Sequence, residues 1–206
     1  ISTEGDVTIY GGSFYAGGKS GAGDNYMNAI GMFNGAKLVI QPAEGKTVTV
    51  TSETDYAISS MGNAKLFIYG GTFACNGSRS DIRDFASGNV QIFGGSFKHE
   101  PYADYLADNR IAVLEDGNYV VKETTTTDVT VDSYGDLVNA LNGSILEPKN
   151  VTTNGNITIP ADANLTLQRG YALTVGENAV LTVEGILSLN GAMTNNGTLT
   201  VSDQGF

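Results

Sequence analysis

The phrase "IYGGTF" at residues 68–73 recurs as "IYGGSF" at 9–14 and "IFGGSF" at 92–97. The strands leading into these phrases resemble one another and a fourth stretch: "DVTIY" (6–10), "AKLVIQ" (36–41), "AKLFIY" (64–69) and "NVQIF" (89–93). Their matching isoleucines, Ile9, Ile40, Ile68 and Ile92, are 31, 28 and 24 residues apart. These intervals are too long for hairpins and are typical of the coils of a solenoid.

A second matched set precedes three of these strands and completes the coil: "NAIGMFNG" (28–35), "YAISSMGN" (56–63) and "IRDFASGN" (82–89). Each ends in a Gly/Asn pair, which suits a corner with positive φ. Side chains alternate along a strand, so the four isoleucines face inward. After the Gly70-Gly71 corner, Phe73 re-enters the core on the next face, as Phe14 and Phe97 do in their coils. The alternative is an antiparallel sandwich of short strands.

The pattern changes after the third phrase, where a cap for the solenoid is expected. Residues 98–110 predict one short helix with Pro101 in its first turn, and residues 111–123 predict a hairpin that turns near Asp116-Gly117. A solenoid end exposes its core unless another element covers it. We therefore interpret 1–123 as a β-helix module with a C-terminal helix-hairpin cap.

The run "TTTT" (124–127) indicates a boundary, and 124–206 is interpreted as a second, tighter β-solenoid. Its N-terminal capping helix is predicted over 132–143, with Asp132 or Ser133 as the cap, an apolar stripe of Leu137, Val138 and Leu141, and Gly143 at the end. Short strands follow: "NITI" (156–159), "NLTL" (164–167), "ALTV" (172–175), "VLTV" (180–183), "ILSL" (186–189) and "TLTV" (198–201).

Composition excludes several classes of function. The net charge is -11 with only 11 Lys and Arg residues, which argues against nucleic acid as a partner. Cys75 is the single cysteine, so no internal disulfide forms. No apolar run approaches the length of a membrane span. The chain starts at Ile1 and stops at Phe206, just after a strand, so we expect a longer parent protein.

Candidate catalytic chemistry is sparse. In "SRSDIRDF" (78–85), Asp81 and Arg83 would share a strand face, where they could hold an anion or form a surface ion pair. His99, the single histidine, is expected in a solvated loop and cannot build a His-rich metal site. The segment "GGKSGAGDN" (17–25) is interpreted as a flexible loop between coils. We expect no catalytic residue, no metal and no cofactor.

One outward feature indicates a binding surface. The residues that follow the four core isoleucines are Tyr10, Gln41, Tyr69 and Phe93, and the rings of Tyr69 and Phe93 should stack on adjacent coils. Aromatic rings with neighbouring amides can seat a sugar. Tyr69, Phe93, Gln41 and Gln91 are therefore the candidate ligand-binding residues. In the alternative, the cap folds back over this face and buries Phe93.

The glycine phrases, together with "PYADYLADNRIAVLEDGNYVV" (101–121), resemble those of bacterial cell-surface proteins with a right-handed β-helix of the pectin-lyase-like superfamily. The resemblance implies an all-β fold, a right-handed parallel β-helix in two modules with short capping helices. It also implies an exported, extracellular or cell-surface protein. Our main hypothesis is a scaffold or adhesin-like module without enzymatic activity, which presents its surface to polysaccharide or to a host surface glycan or protein. The alternative is a fragment of a polysaccharide lyase or glycoside hydrolase. Against it, the Asn-Thr-Asp, Asp-Asp, Gly-His-Gly and Arg-Ile-Lys signatures of the polygalacturonase-like members are absent.

Overall fold

The computed structural model describes residues 2–17, 28–85 and 89–202 of the chain. Apart from Gly17, the predicted loop 17–25 lies outside these residues. The chain divides into two compact units, Ile1–Glu123 and Thr124–Phe206. The fold is nearly all β, with parallel sheets stacked as a β-solenoid of about seven turns in the described parts of the two units together.

Each coil of the first unit contributes one strand to each of three parallel sheets. The first sheet holds β1 (Ser2–Thr3), β4 (Ile30–Met32), β7 (Ile58–Ser60) and β10 (Ile82–Asp84). The second holds β2 (Val7–Ile9), β5 (Lys37–Ile40), β8 (Lys65–Ile68) and β11 (Val90–Ile92). The third holds β3 (Gly12–Ala16), β6 (Val48–Ser52), β9 (Thr72–Cys75) and β12 (Gly95–Phe97). From coil to coil, the strands of all three sheets pair in parallel, which excludes the antiparallel sandwich.

The core of this unit is the column of inward side chains predicted from the alternation. Ile9, Ile40, Ile68 and Ile92 are in register on adjacent strands of the second sheet, and the last three are 0% exposed. Phe73 and Phe97 are also fully buried, on the third sheet, and their rings stack with centroids 4.9 Å apart. Phe14, on the first coil, is half-buried against the same core. The repeated phrase therefore joins the cores of two sheets around one corner.

The cap keeps the predicted hairpin but not the predicted helix. The hairpin consists of β13 (Arg110–Glu115) and β14 (Asn118–Glu123), and β14 pairs antiparallel with β12. Its turn has positive φ at both Asp116 and Gly117, as a type I′ turn requires.

The prediction of a helix over 98–110 is wrong beyond a single 3-10 turn, Ala103–Tyr105. Leu106 is extended and bridges Ile92 in parallel, and the Ala107 N–H donates to the Ile92 carbonyl at 3.0 Å. Hydrogen bonding to the exposed edge of the last coil thus ends the helix after one turn.

The second unit begins with β15 (Thr127–Val131) and α1 (Tyr134–Leu141). The Ser133 hydroxyl accepts from the Asp136 N–H at 3.2 Å and caps α1, as predicted. Leu137 and Leu141 are buried, and Val138 is half-buried. The role assigned to Gly143 is wrong: α1 ends at Leu141, and Gly143 is not left-handed. A Cβ at Gly143 would lie 2.5 Å from the Tyr171 hydroxyl, so close approach of that side chain explains the glycine.

Three parallel sheets complete the described part of the second unit. The first sheet holds β15, β16 (Lys149–Thr153), β19 (Ala172–Val175) and β22 (Ala192–Asn195). The second holds β17 (Asn156–Ile159), β20 (Val180–Val183) and β23 (Thr198–Val201). The third holds β18 (Asn164–Leu167) and β21 (Ile186–Leu189). The six predicted strands are confirmed, whereas β15, β16 and β22 were not predicted. The sequence of β22, "AMTN", has little β propensity, and its place follows from pairing with β19.

Candidate functional site

The candidate site lies on the outer face of the second sheet, formed by the outward side chains of β2, β5, β8 and β11. The backbone ladder continues one residue beyond each core isoleucine: the N–H groups of Gln41, Tyr69 and Phe93 donate to the carbonyls of the isoleucine one coil earlier, at 3.0, 2.8 and 2.7 Å. Tyr10, Gln41, Tyr69 and Phe93 therefore form one outward column with one residue per coil. The structure brings three of the four predicted site residues into this column.

Tyr69 and Phe93 stack, with ring centroids 4.6 Å apart and planes within 5° of parallel. Tyr69 is 47% exposed, and Phe93 is half-buried with part of its surface open. Because the strands are themselves about 4.8 Å apart, the ring faces point along the column toward each other. The pair therefore presents ring edges and the Tyr69 hydroxyl to solvent, and it is not a flat platform of two open faces.

Gln91, the fourth predicted residue, lies in a neighbouring column beside Phe67, its register neighbour on β8. Gln91 and Phe93 are two residues apart and face the same side. Gln41 lies one coil before Tyr69 in the outward column, whereas Gln91 lies one coil after Phe67 in the neighbouring column. The two glutamines are therefore diagonally opposite each other across this group of side chains. Both amides are exposed.

A depression of about 250 Å³ occurs beside the stacked pair, lined by Lys65, Phe67, Asn89 and Gln91. The prediction named only Gln91 of these four residues. The alternation of inward and outward side chains along β8 already indicated Phe67 and Lys65. They lie two and four residues before Tyr69 and therefore face outward with it. The candidate site therefore extends from the stacked pair to this depression, which we call the Phe67 depression.

The segment 78–85 has a structural role instead of the predicted anion site or surface ion pair between Asp81 and Arg83. Asp81 is 2% exposed and accepts from the N–H groups of Cys75 and His99, at 2.6 and 2.8 Å. Its carboxylate also lies 2.9 Å from His99 Nδ1. His99 is therefore half-buried and bound to Asp81, and its assignment to a solvated loop was wrong. Arg83 instead lies over the Phe85 ring, 5.2 Å from its centroid.

The other carboxylates near this segment are also engaged. Asp84 accepts from the Ser60 hydroxyl at 2.9 Å and from the Asn89 N–H at 3.1 Å. Asp55 forms an ion pair with Arg79 at 3.2 Å. Among the described residues, no three His, Cys, Asp or Glu side chains are grouped so that they could hold a metal ion.

Neither α1 nor the 3-10 turn, the helices of the described ranges, is long and apolar enough to cross a membrane. The chain matches no protein-family model, no curated protein and no solved structure. The fold and the geometry of the outer face are thus the findings on which a functional proposal can rest.

Proposed function

We propose that the chain is a non-enzymatic, adhesin-like scaffold module of an exported bacterial surface protein, and that the outer face of its first unit binds polysaccharide. The module is of the pectin-lyase-like, right-handed β-helix kind and works outside the cell or at its surface, on polysaccharide or host glycans. The observation that carries the binding proposal is the Phe67 depression beside the Tyr69–Phe93 pair.

The chemistry of this face supports a sugar ligand. Phe67 offers apolar area at the depression, and the side chains of Asn89 and Gln91 offer amide donors and acceptors for hydroxyl groups. Lys65, Phe67 and Tyr69 follow one another at every second position along one strand line, which spans about 13 Å. The face can therefore contact several successive sugar rings of a chain laid along β8.

The alternative is a fragment of a polysaccharide lyase or glycoside hydrolase. Glycoside hydrolysis usually needs a pair of carboxylates placed at the scissile bond. Asp81 and Asp84 lie in the segment 78–85, which the sequence analysis considered for catalytic chemistry. Their carboxylates are buried and accept hydrogen bonds from the backbone. These contacts favour the binding module over the enzyme.

A glycan array with the purified full chain tests the proposal, followed by titration calorimetry of each array hit. Phe67→Ala and Tyr69→Ala are each expected to weaken binding by about 1 kcal/mol, or roughly fivefold in Kd, because each removes aromatic contact area. Tyr15→Ala is the matched control, since Tyr15 is 67% exposed but lies on β3 in another sheet. An array without hits, or equal losses in all three variants, would overturn the proposal.

A further inference from the structure

Two lysines lie side by side on the outer face without an acidic neighbour bound to either. Lys37 and Lys65 are register neighbours on β5 and β8, and both are exposed. Across the described ranges, carboxylates pair with Arg79, Arg110 and Lys122, while neither Lys37 nor Lys65 forms an ion pair. Like charges directly opposite each other on a sheet destabilise it. In a chain of net charge -11, this pair of lysines is a local concentration of positive charge.

Both lysines belong to the candidate site. Lys65 lines the Phe67 depression, and the Lys37 ammonium lies 5.7 Å from the centroid of the Phe67 ring. The next residue of this lysine column is Asn89, whose amide also lines the depression. At the other end of the column, Asp6 immediately precedes β2 and lies one coil before Lys37. The positive charge is thus centred on the second and third coils, next to the depression.

We infer that the Phe67 depression takes the acidic group of an anionic polysaccharide, a carboxylate or a sulfate carried on the sugar ring. This inference rests on the proposed polysaccharide-binding function. The two ammonium groups and the amides of Asn89 and Gln91 supply hydrogen-bond donors, and an anion there relieves the repulsion between Lys37 and Lys65. The sugar rings on either side contact Phe67 and the edges of the Tyr69–Phe93 pair.

The test compares three polymers with one backbone on the full chain: chondroitin sulfate, desulfated chondroitin, and desulfated chondroitin whose carboxylates have been reduced to alcohols. Binding to at least one acidic polymer is expected to exceed binding to the neutral polymer, although the net charge of the protein opposes it. The first two polymers distinguish sulfate from carboxylate as the group recognised. The advantage should disappear in 1 M salt, where the screening length is about 3 Å.

The double variant Lys37→Gln/Lys65→Gln is expected to weaken binding of the preferred acidic polymer about 2- to 30-fold, the range for two exposed charge pairs. Lys98→Gln/Lys149→Gln carries the same charge change at two positions outside the second sheet and is expected to bind as the wild type does. Equal effects of the two double variants, or failure of the wild type to bind either acidic polymer, would overturn the inference. Equal binding of acidic and neutral polymers would overturn it while leaving the proposed function intact. An array without any glycan hit would instead overturn the proposed function.

Discussion

Gly12, Gly71 and Gly95, the second glycines of the three repeated phrases, share one backbone conformation. Their φ values are +116°, +112° and +118°, in a region that L side chains rarely adopt. The first glycines have different constraints: a Cβ at Gly94 would lie 2.7 Å from the Tyr69 carbonyl oxygen, and one at Gly70 would touch Pro42 at 3.4 Å. The pair of glycines thus combines one position that requires an unusual φ with one that has a close neighbour.

Gly71→Ala is expected to destabilise the first unit by about 2–4 kcal/mol, from backbone strain and crowding of the new methyl group. A Cβ there would lie 3.0 Å from the Val48 carbonyl oxygen and 3.2 Å from the Phe73 ring. Gly45 is the matched control, because its φ is +68° and a Cβ there meets no atom within 4 Å. Gly45→Ala should cost about 1 kcal/mol. Urea unfolding of both variants measures the difference, and equal losses would contradict this account of the corner.

At the scale of elements, the Tyr171 side chain connects the start of β19 to the segment that follows α1. Its side chain is fully buried, and its hydroxyl donates to the Ser144 carbonyl at 3.1 Å. Burial raises the pKa of Tyr171 above its usual 10.0, and the nearby Glu147 carboxylate raises it further. Above pH 10 the unfolded chain therefore loses this proton before the folded chain does. The stability associated with the shift is present below pH 10 and is lost as pH rises through the folded pKa.

Tyr171→Phe is expected to lower the unfolding free energy by about 1 kcal/mol at pH 7, through loss of the hydrogen bond to Ser144. The difference between wild type and variant should shrink as pH rises from 10 to 11, because only the wild type has the titrating group. Urea unfolding at pH 7, 9, 10 and 11 gives both curves. Parallel decline of the two proteins would show that the pKa shift at Tyr171 does not affect stability.

At the scale of the whole molecule, the two units have separate cores among the described residues. The first core comprises residues from Ile9 to Val121, and the second comprises residues from Val131 to Val183. No buried residue of the described ranges belongs to both cores. The last strand of the first unit ends at Glu123, and β15, the first strand of the second, begins at Thr127.

The independence of the two units remains a prediction. Fragments 1–123 and 124–206, expressed separately, are expected to fold and to unfold cooperatively, because each retains its own apolar core. Circular dichroism and thermal unfolding of the two fragments and of the full chain test this. If either fragment is unfolded alone, the two units depend on each other, and the division near residue 124 does not mark a folding boundary.

The sequence alone determined most strands of the coils, the inward residues of the second sheet and the Gly-Gly corners. These features follow from alternation along each strand and from the backbone freedom of glycine, which act over a few residues. The same alternation placed Tyr69, Phe93, Gln41 and Gln91 outward. It also placed Phe67 and Lys65 outward, although the prediction did not use them.

Only the tertiary structure decided the features that depend on residues 14 to 28 positions apart in the chain. Asp81 pairs with His99, Ile92 limits the cap helix to one turn, and β19 positions β22. The register between coils likewise places Lys37 beside Lys65. Such contacts depend on which coil stacks on which and on the hydrogen bonds that an exposed strand edge still needs. Local conformational propensity reflects neither the stacking order of the coils nor the unpaired hydrogen-bonding groups of a strand edge. The sequence therefore predicted the individual coils, whereas stacking determined the cap and the charge on the candidate binding face.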